Sequence, residues 1–300
     1  MSNTRFGEVL TAMVTPFAAD GSVDLEATRE LAVRLVETGS EGIVVCGTTG
    51  ESPTLSHEEK LALFEAVAGE VGDRAQVIAG TGTYDTAESV DLTREAAARG
   101  ADACLVVTPY YSKPPQNALL AHFRAIADRS PVPLMIYDIP GRTSRRVERP
   151  TTVALAGHER IVAVKDAVGD AQETALLRAD LDAAGHGDFE IYSGDDTMLL
   201  PHLAAGAVGV VSVCSHLFGP QLRQVFSAWN DGKVDEAKRV YLDILPAMAT
   251  LMTLTTSPIP IKAALGMVGV AVGEPRLPLV PPTPEQAGVI SSTLRAAGLL

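Results

Sequence analysis

Three cysteines in 300 residues are too few, and an odd number, for a disulfide framework. Cys46, Cys104 and Cys214 show no metal-ligand spacing and each lies in a strand-like apolar run, so they are predicted to be buried reduced thiols in a reducing compartment. Positive charge is also scarce. With 24 Lys and Arg against 37 Asp and Glu, the formal charge of −13 argues against a nucleic acid or an anionic membrane as partner, because both demand a basic surface. No apolar run reaches the roughly 20 residues of a membrane span. Met1 to Gly7 lacks the charged segment followed by an apolar stretch that a signal peptide needs. The expectation is a cytoplasmic protein that handles small molecules. Also missing is a Gly-rich phosphate fingerprint after an early strand, which an open doubly wound sheet would usually carry. No sequence repeat of about 20 to 50 residues is present. The six histidines, His57, His122, His158, His186, His202 and His216, are scattered without ligand spacing, which predicts surface or helix-end positions rather than a metal centre.

What is present is an alternation. Short Val/Ile/Ala-rich runs without a polar period read as strands covered on both faces, at 9–14, 42–46, 76–79, 103–107, 134–138, 161–165, 190–193 and 208–213. Amphipathic stretches follow them at 25–38, 57–71, 86–99, 117–129, 150–156, 171–183 and 198–205, with another beginning near Gly219. Asp24, Ser56 and Asp85 stand just ahead of three of these as helix caps. Eight strand–helix units predict an α/β fold, a (β/α)8 TIM barrel, over residues 1–231. Residues 232–300, with helical patterns at 234–252, 261–267 and 284–297 between Pro-rich breaks, read as a small C-terminal helical domain.

A barrel places its chemistry at the C-terminal ends of its strands. The unusual residues gather there. Strand two is followed by Gly47-Thr-Thr-Gly-Glu-Ser52, a small-residue turn whose hydroxyls and amides suit a carboxylate, or a plain turn capping the next helix. Strand four is followed by Thr108-Pro-Tyr-Tyr111, either aromatic packing or a phenol able to relay protons. Strand five ends in Tyr137 and leads into Gly141-Arg-Thr143. Arg142 is a surface ion-pair residue or, on a rigid segment at the barrel mouth, a planar grip for a carboxylate. Strand six ends in Lys165, inside the apolar run Ile161-Val-Ala-Val-Lys165. Burial disfavours its ammonium form and leaves the neutral amine, the species that adds to a carbonyl. The bland alternative is a lysine that reaches outward or pairs with Asp166. Asp195-Asp196 invites a metal reading, against that of a loop shaping the mouth.

At these positions the chain resembles the dihydrodipicolinate synthases, within the wider group of pyruvate-dependent lysine aldolases that includes N-acetylneuraminate lyase. The turn at 47–52, Thr108-Pro-Tyr-Tyr111, Tyr137 through Thr143, Val164-Lys165, Ser193-Gly-Asp195 and Gly209-Val-Val-Ser212 stand in the family's order and spacing. The resemblance runs from Thr11-Ala-Met-Val-Thr-Pro-Phe17 to the C-terminal helices.

The resemblance implies that Lys165 forms a Schiff base with pyruvate and that Thr49 holds the pyruvate carboxylate. Tyr137 would pass protons, linked through Thr48 to Tyr111, which is donated across a dimer interface within a homotetramer. Arg142 would bind the carboxylate of the second substrate, aspartate semialdehyde, while Gly194 and the backbone of Val211 would face the keto acid. No cofactor and no metal are implied. The product would be 4-hydroxy-tetrahydrodipicolinate, on the route to diaminopimelate and lysine. Ser257 stands where such synthases commonly carry Asn, which leaves open another pyruvate-dependent aldolase or keto-acid dehydratase. A non-catalytic keto-acid-binding regulator is the reading from a different class. Lys60 and Tyr84, where lysine-inhibited members often carry His and Asn, predict weak or absent inhibition by L-lysine.

Overall fold

The structure, a computed structural model, describes residues 4–300. Met1, Ser2 and Asn3, which carry part of the leader reading, lie outside the described residues. The apolar runs become eight parallel strands: β1 Val9–Ala12, β2 Gly42–Val45, β3 Gln76–Gly80, β4 Ala103–Val107, β5 Leu134–Asp138, β6 Ile161–Asp166, β7 Glu190–Ser193 and β8 Gly209–Ser212. They hydrogen-bond in chain order, and β1 pairs with β8 to close the barrel. Their near-complete burial explains the missing polar period. The inner face packs on itself and the outer face is covered by helices.

Helices α1 Leu25–Glu37, α2 His57–Val71, α3 Thr86–Ala98, α4 Gln116–Ala127, α5 Pro140–Thr143, α6 Arg149–Ala156, α7 Ala171–Ala183, α8 Leu199–Ala204 and α9 Ser215–Asn230 surround it. The three predicted caps are all in use. Asp24 and Asp85 each accept two backbone amides, and Ser56 forms a reciprocal capping box with Glu59. Such caps are each worth about 1 kcal/mol. The helix expected near Gly219 starts at Ser215, with a break at Phe218 (φ −118°, ψ 22°) just ahead of Gly219 and Pro220. Gly219 is there because a Cβ would stand 2.3 Å from the Thr38 carbonyl oxygen.

Helices α10 Val234–Thr253, α11 Ile259–Met267 and α12 Pro284–Ala296 complete the chain. They share one apolar cluster with α9, Leu199 of α8, and Val9 and Val210 of the barrel wall. The C-terminal segment then returns to the barrel mouth, where the Phe17 amide donates to the Val272 carbonyl at 3.1 Å. Among the described residues no helix is long and apolar enough to cross a membrane.

The three thiols are free and buried, as read from the sequence. The histidine expectation needs correction at His122. His202 and His216 do sit at helix ends but are buried, and His122 is buried in mid-helix on α4. Each ring has a hydrogen-bond partner: His122 Nδ1 with Thr86 Oγ1 (2.9 Å), His202 Nδ1 with Ser193 Oγ (2.8 Å), and His216 Nδ1 with the Val213 carbonyl (2.7 Å). Desolvation pushes His122 and His216 down to about 4, so they are neutral structural rings.

Candidate active site at the C-terminal rim of the barrel

The strand register brings the key side chains together. Tyr137 on β5 is paired with Lys165 on β6, and paired residues of parallel strands share a face. The Lys165 Nζ lies 4.1 Å from the centroid of the Tyr137 ring. Tyr137 also lines a cavity of about 240 Å³, together with Gly47, Thr48, Val107, Tyr110 and Arg142. Lys165 itself does not line that cavity. A larger cleft of about 870 Å³ opens at the opposite rim. Its charges are already paired, Arg223 with Glu8 and Glu41, and it lies at the wrong end of the strands for barrel chemistry.

Burial acts on the two groups in opposite directions. Lys165 is 5% exposed, and desolvation lowers its pKa to about 7, with the nearby Asp196 carboxylate opposing and Arg142 assisting. Tyr137 is pushed up to about 12, again chiefly by desolvation, with Arg142 and the Thr48 side chain drawing it back. At neutral pH the site therefore offers a substantial fraction of free amine beside a phenol that holds its proton.

The turn after β2 is bent by two left-handed residues, Cys46 (φ 56°) and Glu51 (φ 57°). It is closed by Glu51 N to Thr48 O (3.1 Å) and Ser52 N to Gly47 O (3.3 Å). Thr15 Oγ1 donates to the Gly50 carbonyl at 2.7 Å. The amides of Thr48, Thr49 and Gly50 meet no acceptor among the described residues. Successive unpaired N–H groups in a tight turn suit an anion. Arg142 sits on the short helix α5 and forms no ion pair among the described residues. Gly194 donates its amide to the Asp166 carbonyl at 2.6 Å, where a Cβ would lie 2.8 Å from that of Ala167. Val211 is buried in β8. Tyr110 faces the cavity and meets Tyr84 edge-on at 5.2 Å. Tyr111 is not brought to the site. It has φ 69° and is 93% exposed.

Sequence reasoning understated Asp196. It is a buried carboxylate at the end of β7 that accepts from Ser212 Oγ and from the amides of Val213 (2.9 Å) and Cys214 (3.3 Å), and it faces the Lys165 charge. The doublet Asp195-Asp196 at a strand end was its only signal. Among the described residues no three His, Cys, Asp or Glu side chains converge as metal ligands. A free amine, a protonated phenol, a turn of unpaired amides and an unpaired guanidinium together suit imine chemistry on an anionic carbonyl compound.

Comparisons with known proteins agree on one family. Residues 5–297 match the model of the dihydrodipicolinate synthetase family. The chain is 50% identical over 295 residues to the 4-hydroxy-tetrahydrodipicolinate synthase of Synechococcus elongatus, covering 98% of this chain and 97% of that one. The crystal structure of the Cyanidioschyzon merolae enzyme with lysine bound superposes with a TM-score of 0.95 at 42% identity, covering 99% and 100% of the two chains. The chloride-inhibited Acinetobacter baumannii synthase complexed with pyruvate gives 0.94 at 35% identity, covering 98% and 100%.

A lysine of pKa about 7 makes a sign-definite pH prediction. Below that value the amine is protonated and inert; above it the amine is free. Trapping of a small keto acid on Lys165 by cyanoborohydride, followed as protein mass, should rise about tenfold from pH 6 to pH 8 and then level off. An unperturbed lysine would give about a hundredfold rise with no plateau in that range.

Proposed function

The chain belongs to the dihydrodipicolinate synthetase family, and from that premise we propose how its residues carry the reaction. The protein is a lyase that condenses pyruvate with L-aspartate 4-semialdehyde to 4-hydroxy-tetrahydrodipicolinate, in the pathway to diaminopimelate and lysine. The observation that carries the residue assignment is the register pair: a desolvated amine at 4.1 Å over the ring of a buried phenol, at the active rim of the barrel.

In this reading the free amine of Lys165 adds to the ketone of pyruvate and, with loss of water, gives an iminium. The pyruvate carboxylate rests on Thr49 and the amide nest, with Gly194 and the Val211 backbone along its far side. The iminium draws electrons from the methyl group, whose proton passes to the Tyr137 phenolate left when that phenol protonated the departing hydroxide, giving an enamine and restoring the phenol. The enamine carbon attacks the aldehyde, and Tyr137 gives its proton to the developing alkoxide. The semialdehyde amine then attacks the imine carbon, closes the ring and frees Lys165. Arg142, unpaired at the mouth, grips the semialdehyde carboxylate. The organic cofactor and the metal are both dispensable, since the covalent imine supplies the electron sink.

Tyr111 completes the relay through Thr48 only in a neighbouring subunit, and its exposure and left-handed backbone support an interface role. We place residues 1–231 in the catalytic barrel, residues 232–300 in the helical unit, and the assembly as a homotetramer. A chain that sediments as a monomer with full activity would remove Tyr111 from the relay.

Weak or absent inhibition by L-lysine follows from the rim. Tyr84 is 60% exposed and stacks edge-on against Tyr110 beside Glu88, filling space a compact amide would leave open. A dose–response of initial rate at sub-saturating pyruvate checks this. Half-inhibition below about 1 mM, some −4.1 kcal/mol of binding, would overturn it.

Lys165→Ala and Lys165→Arg should each retain the fold and less than about a hundredth of kcat, a loss of at least ~2.7 kcal/mol, and neither should give a borohydride-stable pyruvate adduct. Residual activity above that level in protein free of host enzyme counts against the Schiff base. Arg142→Ala should raise KM for the semialdehyde by about ten- to a hundredfold while shifting pyruvate much less. Equal losses for both substrates would transfer Arg142 from substrate selection to general electrostatics.

A further inference from the structure

Lys262 lies on α11, outside the barrel, yet its side chain ends at the barrel mouth. Its Nζ donates to Glu51 Oε1 (2.9 Å), to the Thr15 carbonyl (3.0 Å) and to the Glu274 carbonyl (3.1 Å), over the ring of Phe17. The other oxygen of Glu51 accepts the amide of Arg276 at 2.9 Å. Both side chains of the pair are 1% exposed.

A buried ion pair is an expensive way to hold two segments together, since a well-packed apolar pair of similar volume is often as stable or more so. What an apolar pair could not do is fix backbone polar groups. Lys262 fixes them on both sides of one turn. Glu51 holds a left-handed conformation (φ 57°) that glutamate rarely adopts, and its amide closes the turn on the Thr48 carbonyl at 3.1 Å. Thr15, whose carbonyl Lys262 also binds, donates its hydroxyl to the Gly50 carbonyl at 2.7 Å. With the Thr48 and Gly50 carbonyls so engaged, the amides of Thr48, Thr49 and Gly50 keep no internal acceptor among the described residues.

We propose that Lys262 is a positioning residue for pyruvate: through Glu51 and Thr15, α11 clamps the 48–50 turn in the shape that presents its amides to the keto-acid carboxylate. This rests on the reading of that turn as the pyruvate cradle. The C-terminal helical unit is then part of the substrate site and not only a cap on the barrel.

The test measures borohydride trapping of pyruvate on Lys165 in the full-length protein, read as the pyruvate concentration for half-maximal adduct and the maximal adduct yield. The double variant Glu51→Gln with Lys262→Met removes both buried charges together and so avoids a lone one. It should fold, reach wild-type maximal yield, and need about tenfold more pyruvate for half-maximal trapping, with KM for the semialdehyde moved less than about threefold. Thr15→Val, which keeps the ion pair and deletes only the hydroxyl on Gly50, should raise the pyruvate requirement about threefold. A folded double variant with wild-type half-saturation overturns the clamp, as does a Thr15→Val protein with wild-type half-saturation should the double variant fail to fold. Wild-type protein that gives no adduct overturns the Schiff-base reading and the clamp together, whereas normal wild-type trapping with unshifted variants overturns only the clamp.

Discussion

Desolvation of one amine is the constraint on which this structure turns. In water a lysine and a tyrosine have nearly the same affinity for a proton, and at neutral pH both stay protonated, so the lysine is no nucleophile. Closing eight apolar strands around Lys165 and Tyr137 separates them. Burial disfavours charge on both, so the amine falls to about 7 and the phenol rises to about 12. One physical cause thus frees the amine and keeps the proton on the phenol, and the register of β5 on β6 puts the two groups in contact. Closure matters because an open sheet edge would let water back to the amine. The buried carboxylate of Asp196 opposes the shift and keeps it from going further, and Asp196 is itself anchored by the end of β8. The last strand therefore helps to set the chemistry of the sixth.

Most of this was legible in the chain. The strands announced themselves because residues such as Gly42-Ile-Val-Val45 have no polar face to offer, and the caps because Asp24, Ser56 and Asp85 precede amphipathic runs. Lys165 stood out because an ionisable group within Ile161-Val-Ala-Val-Lys165 has no local excuse. The failures have a common origin in contacts distant along the chain. The first turn of α9 was hidden because Ser215 and His216 look like loop residues until the Thr11 hydroxyl and the Val14 amide meet them, at 2.7 Å and 3.2 Å. His122 read as a surface or helix-end group because nothing local marks a neutral buried imidazole whose partner, Thr86, lies 36 residues earlier. Lys262 was invisible as a site neighbour for the same reason, since its acceptors Thr15 and Glu51 lie more than two hundred residues earlier. Asp196 was seen but underrated, because a carboxylate's effect on a lysine depends on a distance that sequence does not carry.

The charge of the whole molecule and the charge of its site pull in opposite directions. A chain with a formal net charge of −13 binds anionic substrates only if the local field outweighs the global one. Screening makes this feasible, because at physiological ionic strength surface charges beyond about 8 Å contribute little. The cations at the mouth divide accordingly. Lys262 and Arg276 are neutralised by Glu51 and Glu59. Arg142 has no ion-pair partner among the described residues and acts through its field, which favours both the free amine of Lys165 and the ionised phenol of Tyr137. In the proposed reading the amides at 48–50 supply dipoles without any net charge that could repel the iminium. A second full cation in that cradle would push Lys165 towards neutrality but would also destabilise the positively charged imine once formed. On that reading, dipoles near the carbonyl and one guanidinium at the rim let the site attract anions while still tolerating a cationic intermediate.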